Sequence, residues 1–372
     1  MKPFVFVVGA RGIPDVEGGA EKNAEMLFPL VAAAGYRVVL TGLADNIKSD
    51  NFKGVELRKA PRSKLMKTDK LLYYIAAIFM AAKLRPQIVH MQGLGSAMFL
   101  WAYKLMGMKT VVRYGSADYL VAGKWGLLGR LGFLFSEYQL RFADAVISVT
   151  PALAIRLAER GVKDNVHVIP NAIDPRSLSP DSPAIKLPSE PYILAVGRIT
   201  AQKNIDTLAK GFAAFAKDEP GKFRLMLAGG LDDEPYVAAL KPLIGPDTTL
   251  MGRVQRSAMG PLYAGARVYV NSSIHEGSSN AVLEAISWGA PILLSGIPEN
   301  RDFGIPEHHY FDPLDPNAIA GALRKATADP GAYVVDLNRF LTWSMVAERT
   351  MAIYRRCLPD RAPNAQGSEL PA

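Results

Sequence analysis

Residues 271–295 read N-S-S-I-H-E-G-S-S-N-A-V-L-E-A-I-S-W-G-A-P-I-L-L-S. The residues just before them, 266–270 (A-R-V-Y-V), are mostly β-branched, aromatic or small, the composition of a buried strand. Glu276 therefore falls on the loop that leaves this strand. The small polar residues Gly277, Ser278, Ser279 and Asn280 suit a helix start. Glu284 follows inside the helix, on the face that carries Asn280 and Ser287. Apolar residues 291–294 then form a second strand. A helix start with free N–H groups and small side chains can receive a phosphate. A carboxylate further along can accept hydrogen bonds from the two vicinal hydroxyls of a ribose. The two acids, separated by seven residues, thus predict a nucleotide-sugar site at the carboxyl end of a strand.

The same strand-loop-helix rhythm extends in both directions. Segments 4–8, 37–41, 54–58, 87–90, 109–113, 145–149 and 166–169 read as strands, with helical patterns near 19–34, 69–84, 94–106, 130–142 and 151–160. Residues 174–191 hold five prolines and almost no periodicity, which makes them a linker. A second alternation starts at Tyr192, with strands near 193–196, 224–228, 249–251, 268–270 and 292–294. Strands alternating with helices predict an α/β chain with two doubly wound parallel sheets. Residues 359–372 have the composition of a tail.

A length of 372 residues supports two domains, each able to bury a core. A single cysteine, Cys357, excludes an internal disulfide and fits a reducing cytoplasm. No secretory signal is evident at the start, and the longest uncharged apolar run, 71–82, falls short of the ~20 residues that span a bilayer. Charge is unevenly placed. Residues 1–170 carry 23 Lys and Arg against 13 Asp and Glu, a surplus of ten, whereas the remainder carries 20 against 22. A basic first half suits an anionic partner. Nucleic acid is not expected, because no binding motif accompanies the charge. Seven basic residues within 53–70 (Lys53, Arg58, Lys59, Arg62, Lys64, Lys67 and Lys70) precede the apolar helix 71–84, and 125–135 adds a second apolar stretch. Basic and apolar surface together suit contact with an anionic membrane, although the helix could equally pack on its sheet.

Several further motifs stand in order around the two acids: G-A-R-G-I-P-D-V-E-G-G-A-E (9–21), I-V-H-M-Q-G (88–93), K-W-G (124–126), I-P-N-A-I-D (169–174) and A-V-G-R-I-T-A-Q-K-N (195–204). With the paired acids they resemble the retaining glycosyltransferases of family 4 over residues 1–357. That resemblance implies a GT-B fold, two Rossmann-like domains facing a cleft. Residues 1–173 would bind the acceptor, 192–342 would bind the nucleotide sugar, and a last helix at 343–358 would cross back to complete the first domain. The expected activity is metal-independent transfer, without a cofactor, from a nucleotide diphosphate sugar to a lipid-linked saccharide. Its setting would be cell-surface polysaccharide synthesis at the inner face of the cytoplasmic membrane. The alternatives are a nucleotide-sugar epimerase and a non-catalytic nucleotide-sugar-binding subunit of an assembly complex.

The resemblance also assigns roles. Arg198 and Lys203 would stabilise the charge that builds on the departing diphosphate, Glu276 would lie beside the reacting centre, and Glu284 would clamp the ribose. Backbone groups of residues 277–280 would hold the donor. Gly18 and Gly19 would let the backbone approach a phosphate or sugar without a Cβ in the way, though a plain turn with Glu21 at a helix start would look the same. Arg11 is either a cleft residue or a surface cation, and Glu21 is a second candidate for the acceptor or sugar pocket. His90, at a strand end, is either a substrate contact or a structural histidine. Tyr114 stands where family members often carry a His that lines the sugar pocket, so it and Asp118 become candidates for that pocket. Asp232 and Asp233 read as loop or capping residues rather than metal ligands.

Overall fold

The computed structural model describes residues 2–61, 69–117, 126–173 and 187–358. Asp118, Lys124, Trp125, Arg62, Lys64, Lys67, most of the proline-rich linker and the tail lie outside the described residues.

Eight strands form the first sheet: β1 (Phe4–Val8), β2 (Arg37–Leu43), β3 (Asn51–Phe52), β4 (Val55–Ala60), β5 (Ile88–Gln92), β6 (Lys109–Tyr114), β7 (Ala145–Ser148) and β8 (Val166–Val168). Their order is β3-β4-β2-β1-β5-β6-β7-β8, parallel throughout except for the short β3–β4 hairpin. The crossover helices are α1 (Gly19–Ala33), α2 (Asp69–Leu84), α3 (Leu100–Leu105), α4 (Leu127–Gln139) and α5 (Pro151–Glu159). The second sheet has β9 (Tyr192–Val196), β10 (Arg224–Ala228), β11 (Thr248–Gly252), β12 (Val268–Asn271), β13 (Ile292–Ser295) and β14 (Tyr310–Phe311). Its helices are α6 (Ile205–Ala216), α7 (Glu234–Leu240), α8 (Arg256–Ala264), α9 (Asn280–Ser287), α10 (Pro298–Arg301) and α11 (Pro316–Ala328). Its order, β11-β10-β9-β12-β13-β14, is parallel and reverses direction between β9 and β12. In an open α/β sheet that reversal leaves a crevice at the carboxyl ends of the two strands, where ligands bind.

Both faces of each sheet are covered, so strands read as unbroken apolar runs rather than alternating ones. On the first sheet, Tyr73, Ala77, Leu100, Tyr103, Leu153 and Leu157 pack one face, while Ala24, Leu27, Phe28 and Val31 of α1 pack the other. That second face is completed by α12 (Trp343–Cys357), which brings Trp343, Val346, Ala347, Ile353 and Tyr354 back to the first sheet from the far end of the chain. Thr342 caps this helix through Met345 N–H at 3.4 Å. Two crossings therefore join the domains, and they touch: Ile173 N–H donates to the Leu341 carbonyl at 3.0 Å, beside a parallel bridge between Ile173 and Thr342.

Candidate functional site

The loops that leave β9 and β12 flank the crevice of the second sheet, and with the start of α9 they carry the four charged residues singled out from the sequence. Lys203 ends the β9 loop and crosses Gly197, its Cε 3.0 Å from where a Cβ on that glycine would stand. Its Nζ donates to Glu276 Oε1 at 2.5 Å. The same oxygen accepts from Ser273 Oγ at 2.7 Å and Asn271 Nδ2 at 3.1 Å. Burial on its own pushes the Glu276 carboxyl up, but Lys203, Ser273 and Asn271 together hold it below the ordinary carboxylate range. The side chains are 19% (Lys203) and 8% (Glu276) exposed, so the pair is largely withdrawn from water. Arg198, on the same loop, is exposed and has no hydrogen-bonding or ionic partner among the described residues.

Glu284 lies one helical turn into α9. Its Oε2 accepts from the Tyr263 hydroxyl at 3.0 Å, and its Oε1 is 3.8 Å from Lys22 Nζ of the first domain. With 29% of its side chain exposed, it keeps acceptor capacity toward the cleft. Asp232 pairs with Arg253 and Asp233 caps α7 through Tyr236 N–H, as expected of loop and capping residues.

The opposite wall is the first domain. Gly18, at φ 137°, precedes α1, and a Cβ there would meet Glu21 Oε2 at 2.0 Å. Gly19 faces Asn280 Nδ2, 3.7 Å from where its own Cβ would stand. Gly277 packs so closely on the first domain that a Cβ would come within 1.9 Å of the Gly115 carbonyl. Asn171, from the I-P-N-A-I-D stretch, donates to the Ser278 carbonyl at 3.1 Å and to Asn280 Oδ1 at 3.0 Å. Arg256–Glu25 at 2.5 Å and Arg253–Glu17 at 2.7 Å close the rim. The residues 277–280 thus meet the first domain directly, with Ser279 buried at the helix start.

Three of the pocket candidates are buried and hold partners within the protein. Tyr114 is fully buried on the α4 side of the first sheet, where its hydroxyl donates to Glu137 at 2.9 Å. Arg156 and Arg160 hold the same carboxylate at 3.5 and 3.1 Å. The residue belongs to a core polar network. His90 is also fully buried: its Nδ1 is 2.6 Å from the Tyr354 hydroxyl, so it fastens α12 to β5. Burial, and secondarily Arg113, lower its pKa to about 3, leaving a neutral ring. Glu21 is 5% exposed and its Oε1 accepts from Arg11 N–H at 3.0 Å and Arg11 Nε at 2.9 Å, which closes the loop after β1. Arg11 keeps 43% of its side chain exposed. Sequence reasoning missed Asn171 and Arg113. The available signal for Arg113 was a cation in the otherwise apolar strand V-V-R-Y.

Comparison with known proteins places this geometry. Two family descriptions match, Glycosyltransferase Family 4 over residues 17–177 and Glycosyl transferases group 1 over residues 190–329. Alpha-maltose-1-phosphate synthase of Mycobacterium tuberculosis is 30% identical over 58% of this chain, a match that spans 63% of that protein's length, under two thirds. The lipopolysaccharide core biosynthesis glycosyltransferase LpsE of Rhizobium meliloti is 24% identical over 74% of this chain and 71% of its own. Sucrose-phosphate synthase from Thermosynechococcus elongatus superposes with a TM-score of 0.78 at 23% identity, covering 96% of this chain and 99% of that one, and so shares the two-domain GT-B fold.

Proposed function

We propose, since the chain belongs to glycosyltransferase family 4, that it transfers a sugar from a nucleotide diphosphate donor to a saccharide hydroxyl with retention at the anomeric carbon. The observation that carries this reading is the grouping of Arg198, the Lys203–Glu276 pair and Glu284 around one crevice, with residues 277–280 against the first domain. As the bond between the anomeric carbon and the donor phosphate breaks, its electron pair leaves with the diphosphate. Arg198 and Lys203 supply fixed positive charge at that point, stronger in a site that excludes water. The acceptor hydroxyl forms the new bond, and its proton passes to the departing phosphate. No metal enters this scheme. Glu276, already bonded to Lys203, sets the direction of that ammonium, and Glu284 takes the ribose hydroxyls.

The acceptor is proposed to be a lipid-linked saccharide reached at an anionic membrane face. The outer surfaces of α2, α3 and α4 expose Phe79, Leu105 and Leu127 at 71–80%, with Trp101, Leu131 and Phe135 at half or more. Between residues 70 and 142 the sole described carboxylate is the buried Glu137, whereas Lys70, Lys83, Arg130 and Arg141 are exposed. An apolar face ringed by cations fits the headgroup region of an anionic bilayer. No described helix is long and apolar enough to cross a membrane.

Calorimetry against UDP, GDP, dTDP and ADP, with and without EDTA, tests the donor site. One nucleotide binding regardless of EDTA, and weakening at least tenfold in Glu284→Ala, supports it. No binding to any of the four refutes it. Flotation with phosphatidylglycerol vesicles tests the face: Leu131→Ser with Phe135→Ser should abolish association, and unchanged association refutes the membrane reading.

A further inference from the structure

We infer that Arg113 is an anion receptor on the first-domain wall of the cleft, taking a phosphate or carboxylate group of a substrate. The assignment rests on the proposed transfer reaction and adds a charge to the wall that faces the donor loop.

Arg113 is the last but one residue of β6, at the carboxyl end of the strand, and is 6% exposed. A buried guanidinium is ordinarily matched by a carboxylate, because burying an unpaired ion is expensive. None is in range among the described residues: the Arg113 guanidinium takes part in no salt bridge with them, and its single side-chain hydrogen bond to them is from Nη2 to the side-chain oxygen of Asn171. Burial is the whole reason its pKa falls, to about 10, so it stays charged near neutrality. Its neighbour across the sheet, Gln92, leaves Oε1 buried without a partner, and so does Nε2 of His90. This corner of the sheet therefore holds one uncompensated positive charge and two unsatisfied polar atoms.

Its position gives the charge a purpose. Nη1 lies 3.2 Å from where a Cβ on Gly115 would stand, and Gly115 is the residue on which Gly277 packs. Asn171, which holds the guanidinium, reaches the Ser278 carbonyl and Asn280 with its amide nitrogen. Arg113 thus sits behind residues 277–280, across the cleft from Lys203 and Arg198. An anionic oxygen entering there gains a charge-assisted, fork-shaped donor with no competing carboxylate among the described residues. The anion has two possible sources. One is the donor diphosphate, which would then be gripped from both domains. The other is a carboxylate or phosphate on the transferred sugar or the acceptor.

Arg113→Met, with Arg113→Lys beside it, separates these readings from a structural role. Removing an unpaired buried charge relieves strain in the empty protein, so Arg113→Met should melt at or above the wild-type temperature. In the first arm, inorganic pyrophosphate and UDP, GDP, dTDP and ADP are titrated calorimetrically. Weakening of at least tenfold, with partial recovery in Arg113→Lys, names the diphosphate. In the second, glucuronate and inorganic phosphate are titrated into nucleotide-saturated protein, and loss of that binding with nucleotide affinity intact names the sugar or acceptor. A lowered melting temperature with both arms unchanged makes Arg113 a structural latch and overturns the assignment. Unchanged arms overturn it whatever the melting temperature. Failure of the wild type to bind any nucleotide would instead strike the proposed transfer reaction, leaving Arg113 to be judged on melting and on phosphate or glucuronate binding to the nucleotide-free protein.

Discussion

Replacing Lys203 with methionine leaves the Glu276 carboxylate in place, 8% exposed, with only Ser273 and Asn271 to hold it. Breaking one side of a buried ion pair destabilises by about 3–5 kcal/mol. The two surviving hydrogen bonds, and the fifth of Lys203 that still reaches water, place this case at the lower end, about 3 kcal/mol. For a domain of 150–250 residues, ~3 kcal/mol corresponds to a melting temperature lower by roughly 6–12 °C. The sign of the pH dependence follows from the carboxyl. In the native protein it is held below its ordinary value of 4.5, so its contribution is present above pH 4.5 and is lost as pH falls through the lower folded value. Without Lys203 the lowering influences shrink and burial pushes the carboxyl up, so the variant protonates Glu276 and escapes the buried charge at a higher pH. Urea unfolding should therefore show a deficit of about 3 kcal/mol at pH 7.5 that narrows by pH 4.5, and adding Glu276→Gln should recover part of it. A deficit under about 1 kcal/mol at pH 7.5, or one that does not change with pH, refutes the reading of a buried pair.

Arg198→Ala makes the opposite case: an exposed cation without a partner among the described residues should leave the melting temperature within a degree or two yet reduce sugar transfer at least tenfold, measured with the donor identified by calorimetry. Gly277→Ala puts a methyl group 1.9 Å from the Gly115 carbonyl, so each domain should fold while the cleft stays ajar; small-angle scattering should report a larger radius and transfer should fall at least a hundredfold. Tyr354→Phe leaves His90 Nδ1 buried without its 2.6 Å partner and should lower stability by about 1–3 kcal/mol in urea unfolding, with kcat unchanged once folded.

Most strands lie within two residues of the positions their apolar runs predict, since a parallel sheet covered on both faces leaves strands nearly free of polar residues. The two-residue strands β3 and β14 escaped because so short a segment carries no period. The charged quartet was legible for a different reason: Arg198, Lys203 and Glu276 on two loops, and Glu284 in the helix that follows the second, stand in an order along the chain that matches a recognisable pattern, and topology brings those segments together. His90 misled because β5 runs two residues beyond the apolar run that predicts it, which puts His90 mid-strand and not at the cleft's edge; Tyr114 does end β6, where a polar residue sits at the cleft's edge by position. Which way it turns depends on what packs above it, α12 for His90 and the Glu137 network for Tyr114. Neither partner is near in sequence, 264 and 23 residues away. Arg113 was hidden by the same circumstance: that no described carboxylate pairs with it is visible only in three dimensions.

The return of α12 to the first sheet also orders events on the ribosome. Its partner surface on that sheet, with Phe28, Val31 and Ile147, is complete once β8 has emerged, but Trp343, Ile353 and Tyr354 arrive only after the whole second domain has been made. At about 5–20 residues per second, the first domain waits roughly 10–40 s with that face bare and His90 lacking its tyrosine. During this interval it is a nascent chain with an open apolar flank, the kind of surface on which holding chaperones act. Cell-free synthesis stopped between the two crossings should therefore yield a product that binds such chaperones and yields to protease, and releasing the last helix in trans should restore protection.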